Sequence, residues 1–189
     1  AAEISPDGKT LYALTDDGHE FQYIVALDLA TGKQSTLLRL DWDVSYIART
    51  RSGRFWVIGV NNDARSDVYV YEAGGDGTLR QEHLAKTVID SRGISRIAIS
   101  PAENAYAYYE EGGQTPGDIY FREVGSDENV RLTDRLNPAI DPEDLVEPEV
   151  VRFASYDGVE IPGILYKPKQ ATERNKVPAL VWVHGGPGG

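Results

Sequence analysis

The chain has 189 residues, 41% hydrophobic and 26% charged, with a formal net charge of −11. That balance gives enough apolar material for a core and excludes a disordered chain. The acidity argues against nucleic acid and anionic membrane surfaces as partners, since phosphate contacts need clustered Lys and Arg. With no Cys, disulfides, a cysteine nucleophile and thiolate metal sites are ruled out. With no Met, Ala1 is expected to follow a processed or cut terminus. No apolar stretch approaches the roughly 20 residues of a membrane helix, and compartment is not legible.

A repeated grammar of short strands and turns opens the chain. Ile4-Ser5-Pro6-Asp7-Gly8-Lys9 reads as a turn, because Asp bonds its own backbone and Gly accepts positive φ. Leu11 to Thr15 reads as a strand, Asp16-Asp17-Gly18-His19 as a turn, Tyr23 to Asp28 as a strand. Ala30-Thr31-Gly32-Lys33 is the next turn and Gln34 to Leu40 the next strand. The pattern returns about 45 residues later. Val44 to Arg49, Phe55 to Val60 and Asp67 to Glu72 are strands; Arg51-Ser52-Gly53-Arg54 is a turn and Asn61 to Ser66 a polar loop. A third round runs through Ile94 to Ser100, Ala105 to Glu110, Asp118 to Glu123 and Asn129 to Thr133, with Ser100-Pro101 echoing Ser5-Pro6. Four short strands per unit of about 45 to 50 residues is the signature of a propeller blade. Three blades are fewer than the roughly four to eight that close a ring, so further N-terminal sequence is expected.

The grammar then changes. Asn137-Pro138 to Glu147-Pro148 is rich in Pro and acids and reads as a linker. Val150 to Ser155 and Val159 to Tyr166 form a hairpin around Tyr156-Asp157-Gly158, with Pro162 marking an irregular or edge position. Val177-Pro178-Ala179-Leu180-Val181-Trp182-Val183 is almost uninterruptedly apolar and predicts a strand buried on both faces, as in a parallel sheet. It runs into His184-Gly185-Gly186-Pro187-Gly188-Gly189. Glycines after a central strand place backbone N–H groups at the edge where α/β sheets hold their active sites. Such a loop supplies one arm of an oxyanion hole.

The ordered set Pro148-Glu149-Val150-Val151-Arg152-Phe153, Ser155-Tyr156-Asp157-Gly158, Ile161-Pro162-Gly163, Tyr166-Lys167-Pro168 and Val181-Trp182-Val183-His184-Gly185-Gly186-Pro187 resembles the propeller-to-hydrolase junction of the prolyl oligopeptidase family of serine peptidases. It is most similar to the acylaminoacyl-peptidase-like branch. Leu132-Thr133 and Asn137-Pro138 resemble the end of that family's propeller. The resemblance implies a mainly β chain: the last blades of a β-propeller over 1–135, a linker over 136–147, and the first strands of an α/β-hydrolase domain over 148–189. It implies a Ser–Asp–His triad C-terminal to the loop, oligopeptide substrates, a propeller that gates them, and no cofactor. His184, Gly185, Gly186 and Pro187 would be the oxyanion loop, with Gly186 the preferred N–H donor. In the family's other branches a Tyr at the position of His184 offers its hydroxyl; here it is His.

None of the triad maps onto this chain, which has no Gly-x-Ser-x-Gly. The chain alone is therefore expected to be inactive and, with open blade edges, to fold poorly and aggregate. Two alternatives stand beside the peptidase: a propeller binding module without catalysis, and an esterase or lipase with the same loop. A phosphate or dinucleotide loop at the glycines lacks a confirming helix or Lys. His184 as catalytic base is disfavoured because the base should follow the nucleophile. His19 and His83 read as surface residues, Glu110-Glu111 as a blade-end turn, and Asn61, Asn62, Asp63 and Asp67 as a solvated loop without calcium-loop spacing. Tyr69, Tyr71, Tyr106 and Tyr108 read as packing between blades.

Overall fold

The computed structural model describes residues 1–85, 87–92, 94–113 and 115–183. Among them lie three antiparallel four-stranded sheets and one two-stranded hairpin. The first sheet comprises β1 (Ala2–Ile4), β2 (Thr10–Thr15), β3 (Tyr23–Asp28) and β4 (Gln34–Leu38). The second comprises β5 (Asp43–Arg49), β6 (Phe55–Asn62), β7 (Arg65–Glu72) and β8 (Thr87–Arg92). The third comprises β9 (Ile94–Ile99), β10 (Ala105–Gly112), β11 (Thr115–Glu123) and β12 (Val130–Arg131). Each is a meander whose strands pair in chain order, so the fold is mainly β and built of propeller blades.

One turn is used three times to join the first and second strands of a blade. A hydroxyl residue opens it, at Ser5, Thr50 and Ser100. Its N–H donates to the carbonyl five residues on, at 2.8 Å for Ser5 to Thr10, 2.9 Å for Thr50 to Phe55 and 2.8 Å for Ser100 to Ala105. Its side-chain oxygen accepts from that same residue's N–H at 2.9, 3.1 and 3.2 Å. The fourth residue of each turn has left-handed backbone: Gly8 at φ 72°, Gly53 at φ 80° and Glu103 at φ 55°. Glycine adopts that region without strain; Glu103 does not.

The core is two layers between three sheets. On β6, Trp56, Ile58 and Val60 point toward the first blade and pack with Tyr12, Ile24 and Leu37. The alternate residues Phe55 and Val57 point toward the third blade and pack with Val68, Val70, Tyr106 and Tyr108. Strand alternation therefore leaves β6 without a polar residue from Phe55 to Val60: it is covered on both faces. A continuous apolar run is thus a blade feature here too. A bulge between Val44 and Tyr46 shifts the register of β5 on β6. As a result Val44 and Ile47, three apart, both reach the first layer, while Tyr46 and Ala48 reach the second. Trp56 Nε1 donates to Gly77 O at 3.0 Å and the Tyr12 hydroxyl donates to Leu79 O at 2.9 Å, so the two largest fully buried side chains of the first layer are satisfied.

The structure corrects several expectations. β1 takes in Ala2 and Glu3, which were not assigned, and Ile4, which was read as part of a turn; β8 lies in a stretch not assigned. The polar loop over Asn61 to Ser66 is absent: β6 and β7 pair through Asn62 and Arg65, leaving only Asp63 and Ala64 in the turn. Both have positive φ, 50° and 64°, the geometry of a two-residue hairpin that matches strand twist. Glu110 and Glu111 lie in β10 rather than in a turn. The last strand of the third blade shrinks to Val130–Arg131.

Candidate functional site

After the third blade the chain passes a 3-10 turn at Pro142–Asp144, capped by the Asp141 carboxylate on the Glu143 N–H at 2.9 Å. It then forms the expected hairpin, β13 (Glu149–Ala154) with β14 (Glu160–Leu165), Ala154 opposite Glu160. Gly158, at φ 85°, turns it. Two blade tips meet this segment. The Arg152 guanidinium donates to Asp63 Oδ2 at 2.7 Å, at the turn between β6 and β7. Gly113, at the β10–β11 turn, lies so close to Val146 and Pro148 that an added Cβ would stand 2.4 Å from the carbonyl oxygen of one and 2.3 Å from Cδ of the other.

Residues 177–183 do not form the expected strand. They carry no regular secondary structure, with Leu180, Val181, Trp182 and Val183 82–90% exposed. A strand exists only with a hydrogen-bonded neighbour, and among the described residues none lies beside this run. His184, Gly185, Gly186 and Pro187, the expected oxyanion loop, lie outside the described residues.

At the start of the same junction, Asp118 is fully buried. Its Oδ1 accepts from Thr133 Oγ1 at 2.8 Å and from the Arg135 N–H at 3.0 Å; its Oδ2 accepts from Arg131 at 2.5 Å. Burial pushes the carboxyl up, but the bonds from Thr133, Arg131 and the Arg135 N–H together outweigh it and hold the pKa below the usual value. This network ties the last blade strand and the exit of the chain to β11. Its residues include the Leu132-Thr133 segment singled out in the sequence, although Asp118 itself was not.

Opposite the junction, at the ends of the blades that carry the repeated turns, a cleft of about 430 Å³ opens between the second and third blades. Val57, Ala48, Ile97 and Ile99 line its floor; Arg49, Arg51 and Glu103 stand at its rim. Arg49 Nε donates to Ile4 O at 2.7 Å, and its charge faces Glu3 at 3.6 Å. Glu103 accepts from Ser52 Oγ at 2.6 and 2.8 Å, while Arg54 donates to the Glu103 carbonyl at 3.3 Å. Burial raises the Glu103 carboxyl, and the Ser52 and Thr50 bonds more than reverse this, so it titrates below its usual value. The one sequence trace of this rim was Glu103 standing where the other two turns carry Gly.

The histidines do not converge. His19 stacks edge-on against Tyr23, and His83 Nδ1 accepts from the Arg80 N–H at 3.0 Å. Asn62 Nδ2 donates to Asp67 Oδ2 at 2.7 Å within the hairpin. Among the described residues no group of three or more acidic or histidine side chains is disposed to hold a metal, and no helix is long and apolar enough to cross a membrane.

No protein-family model matches the chain. It is 28% identical over 205 residues to dipeptidyl aminopeptidase BIII of Pseudoxanthomonas mexicana, a match covering 97% of this chain and 27% of that protein. It is 26% identical over 133 residues to the uncharacterised peptidase YuxL of Bacillus subtilis (strain 168), covering 70% of this chain and 19% of the relative. Among solved structures, prolyl oligopeptidase B from Galerina marginata in its apo form superposes with a TM-score of 0.63 at 18% identity, over 91% of this chain and 25% of that one. One of two prolyl endopeptidases studied for inter-domain dynamics gives 0.65 at 20%, over 90% and 25%, and puromycin hydrolase gives 0.64 at 19%, over 89% and 25%.

The resemblance is to the prolyl oligopeptidase family, in sequence and in fold.

The structural likenesses carry the fold, and the sequence likenesses carry the peptidase relationship. The chain spans 19% and 27% of the length of the curated relatives it matches. The alignment with the dipeptidyl aminopeptidase runs over nearly the whole chain, so the blades and the β13–β14 hairpin both fall within the likeness to that one protein.

Proposed function

We propose that the whole protein is a serine peptidase that hydrolyses oligopeptides by acyl transfer. Residues 1–135 then supply propeller blades, 136–147 a linker, and 148–189 the opening of the catalytic domain. The observation that carries this reading is the 28% identity to a peptidase across 97% of the chain. In the mechanism, a Ser attacks the scissile carbonyl, a His takes its proton and returns it to the leaving amine, and an Asp holds the His tautomer. The loop of His184, Gly185, Gly186 and Pro187 contributes backbone N–H groups, Gly186 foremost, to the negative oxygen of the tetrahedral intermediate. One such donor is worth about 3–4 kcal/mol of barrier. His184 in place of a Tyr hydroxyl donor supports the acylaminoacyl-peptidase-like branch. The propeller admits extended peptides and excludes folded ones. The 189-residue chain alone, without a Gly-x-Ser-x-Gly nucleophile, is inactive.

The test is peptide hydrolysis by the whole protein together with labelling by a serine-directed fluorophosphonate. Labelling and cleavage are expected, and Gly186→Pro, which deletes the N–H, lowers kcat by about 10²–10³ with little change in KM. A whole protein that neither labels nor cleaves peptides overturns the reading.

A further inference from the structure

We infer that the cleft between the second and third blades binds the C-terminal residue of a peptide, its apolar side chain on the floor and its free carboxylate at Arg51. The inference rests on the peptidase reading for the class of ligand, and on the cleft's own chemistry for the rest. Its volume, about 430 Å³, falls within the roughly 300–1,000 Å³ typical of small-ligand sites. Ala48, Val57, Ile97 and Ile99 make the lining mostly apolar, beside the polar Thr50 and Ser100, so the cleft favours an apolar group.

The rim sets the charge. Arg49 is committed to Ile4 O, Thr50 O and Arg51 O and faces Glu3. Glu103 is committed to Ser52, and Arg54 to Glu72. Among the described residues the exposed Arg51 guanidinium has no hydrogen-bond or ion-pair partner. Glu3 offsets the charge of Arg49, and Glu103 stays ionised beside the neutral Ser52 hydroxyl, so Arg51 is the cation of the rim left without a carboxylate. A guanidinium offers two parallel N–H groups in the geometry of a carboxylate. An apolar side chain and a carboxylate on the same residue occur together at a peptide's C-terminus.

The turn geometry supports the placement. Ser52 and Glu103 belong to adjacent blades, and their bonds fix the rim's two walls relative to each other. The first two turns carry Gly8 and Gly53 at the left-handed position, whereas the wall of the cleft carries Glu103 there despite φ 55°. A strained non-glycine residue is kept where it shapes an opening.

The experiment is isothermal titration of the whole protein with acetyl-Ala-Leu as the free acid and as its C-terminal amide. The acid is expected to bind about tenfold or more tightly than the amide, and Arg51→Ala to abolish the difference. Ile97→Asp is expected to weaken both forms. A third probe, acetyl-Glu-Leu amide, separates a side-chain carboxylate from a terminal one; binding equal to the free acid would replace the C-terminus by an acidic side chain and overturn the proposal. Equal affinity for acid and amide, or a difference that survives Arg51→Ala, also overturns it. Because Arg51 is exposed, its loss leaves the fold intact, which circular dichroism verifies. Binding here needs no catalysis: cleavage without carboxylate-dependent binding sinks this site alone, and carboxylate-dependent binding without cleavage sinks the peptidase reading alone.

Discussion

Arg152 reaches back across 89 positions to place its guanidinium 2.7 Å from Asp63 Oδ2, at the tip of the second blade's hairpin. It also faces Glu160 across the β13–β14 hairpin at 3.5 Å. The Asp63 bond is the leading cause that raises the Arg152 pKa. Both side chains retain solvent contact, 40% for Arg152 and 23% for Asp63, so this direct pair is partly solvated and open to screening. A double-variant cycle with Arg152→Ala and Asp63→Ala is expected to show a favourable coupling at low salt. That coupling should fade at about 1 M, where the Debye length shrinks to about 3 Å. A coupling unchanged by salt would show that shape, rather than charge, joins the hairpin to the blade.

Gly59 sits directly opposite Tyr46, and a Cβ there would stand 2.0 Å from Tyr46 Cε1. The neighbour is a ring held in the second packing layer, not the loose end of a flexible chain. Gly59→Ala is expected to destabilise by about 1–3 kcal/mol or more, as overpacking does. Replacing Tyr46 with Leu in the same background should recover part of the loss. Thermal melting of the single and double variants checks this; additive losses would refute the clash.

Two non-glycine residues in left-handed backbone give opposite expectations for the same substitution. At Ala64, φ 64°, nothing but the methyl group is lost on going to Gly, so Ala64→Gly should stabilise by up to about 1 kcal/mol. At Glu103 the strain is coupled to bonds with Ser52. Glu103→Ala keeps the strain and loses the bonds, whereas Glu103→Gly loses the bonds and relieves the strain. Denaturant titration is therefore expected to rank Glu103→Ala about 1 kcal/mol below Glu103→Gly.

Asp118 gives a pH dependence with a definite sign. Its pKa in the folded chain is lowered from the usual 3.8, so the unfolded chain binds the proton first as pH falls. The stabilisation is complete above the unfolded value and is lost as pH drops through the lower folded one. Melting temperature is thus expected to fall below about pH 4, and Asp118→Asn should flatten part of that acid limb while lowering stability at neutral pH. An unchanged acid limb in the variant would assign it to other carboxylates.

Most of the blades were legible because their signals are local. Tyr23–Asp28 is bounded by turns with Gly18 and Gly32, both at φ 70°, and its limits coincide with the reading. The turns at Ser5, Thr50 and Ser100 recur through a hydroxyl and a left-handed fourth residue, which survives in sequence as Ser-Pro or Ser-Gly. What failed depends on partners far along the chain. The hairpin tip at Asp63-Ala64 carries no Gly, so it passed for a loop. The apolar run at 177–183 was assigned to a doubly buried strand, yet among the described residues such burial is seen in the blades, as in β6, where Phe55 and Trp56 face different layers. Periodicity reports how many faces are covered and says nothing of what covers them. The cleft at Arg51 joins positions about 50 residues apart, and no spacing within one strand announces it.

The middle blade has no wet face along β6, where six consecutive residues from Phe55 to Val60 are buried. For the amide protons of that strand, fraying of either outer blade opens one side only. Deuterium therefore enters β6 last, by events that part both neighbours, and its exchange rate reports the cooperativity of the whole stack rather than the motion of any one sheet.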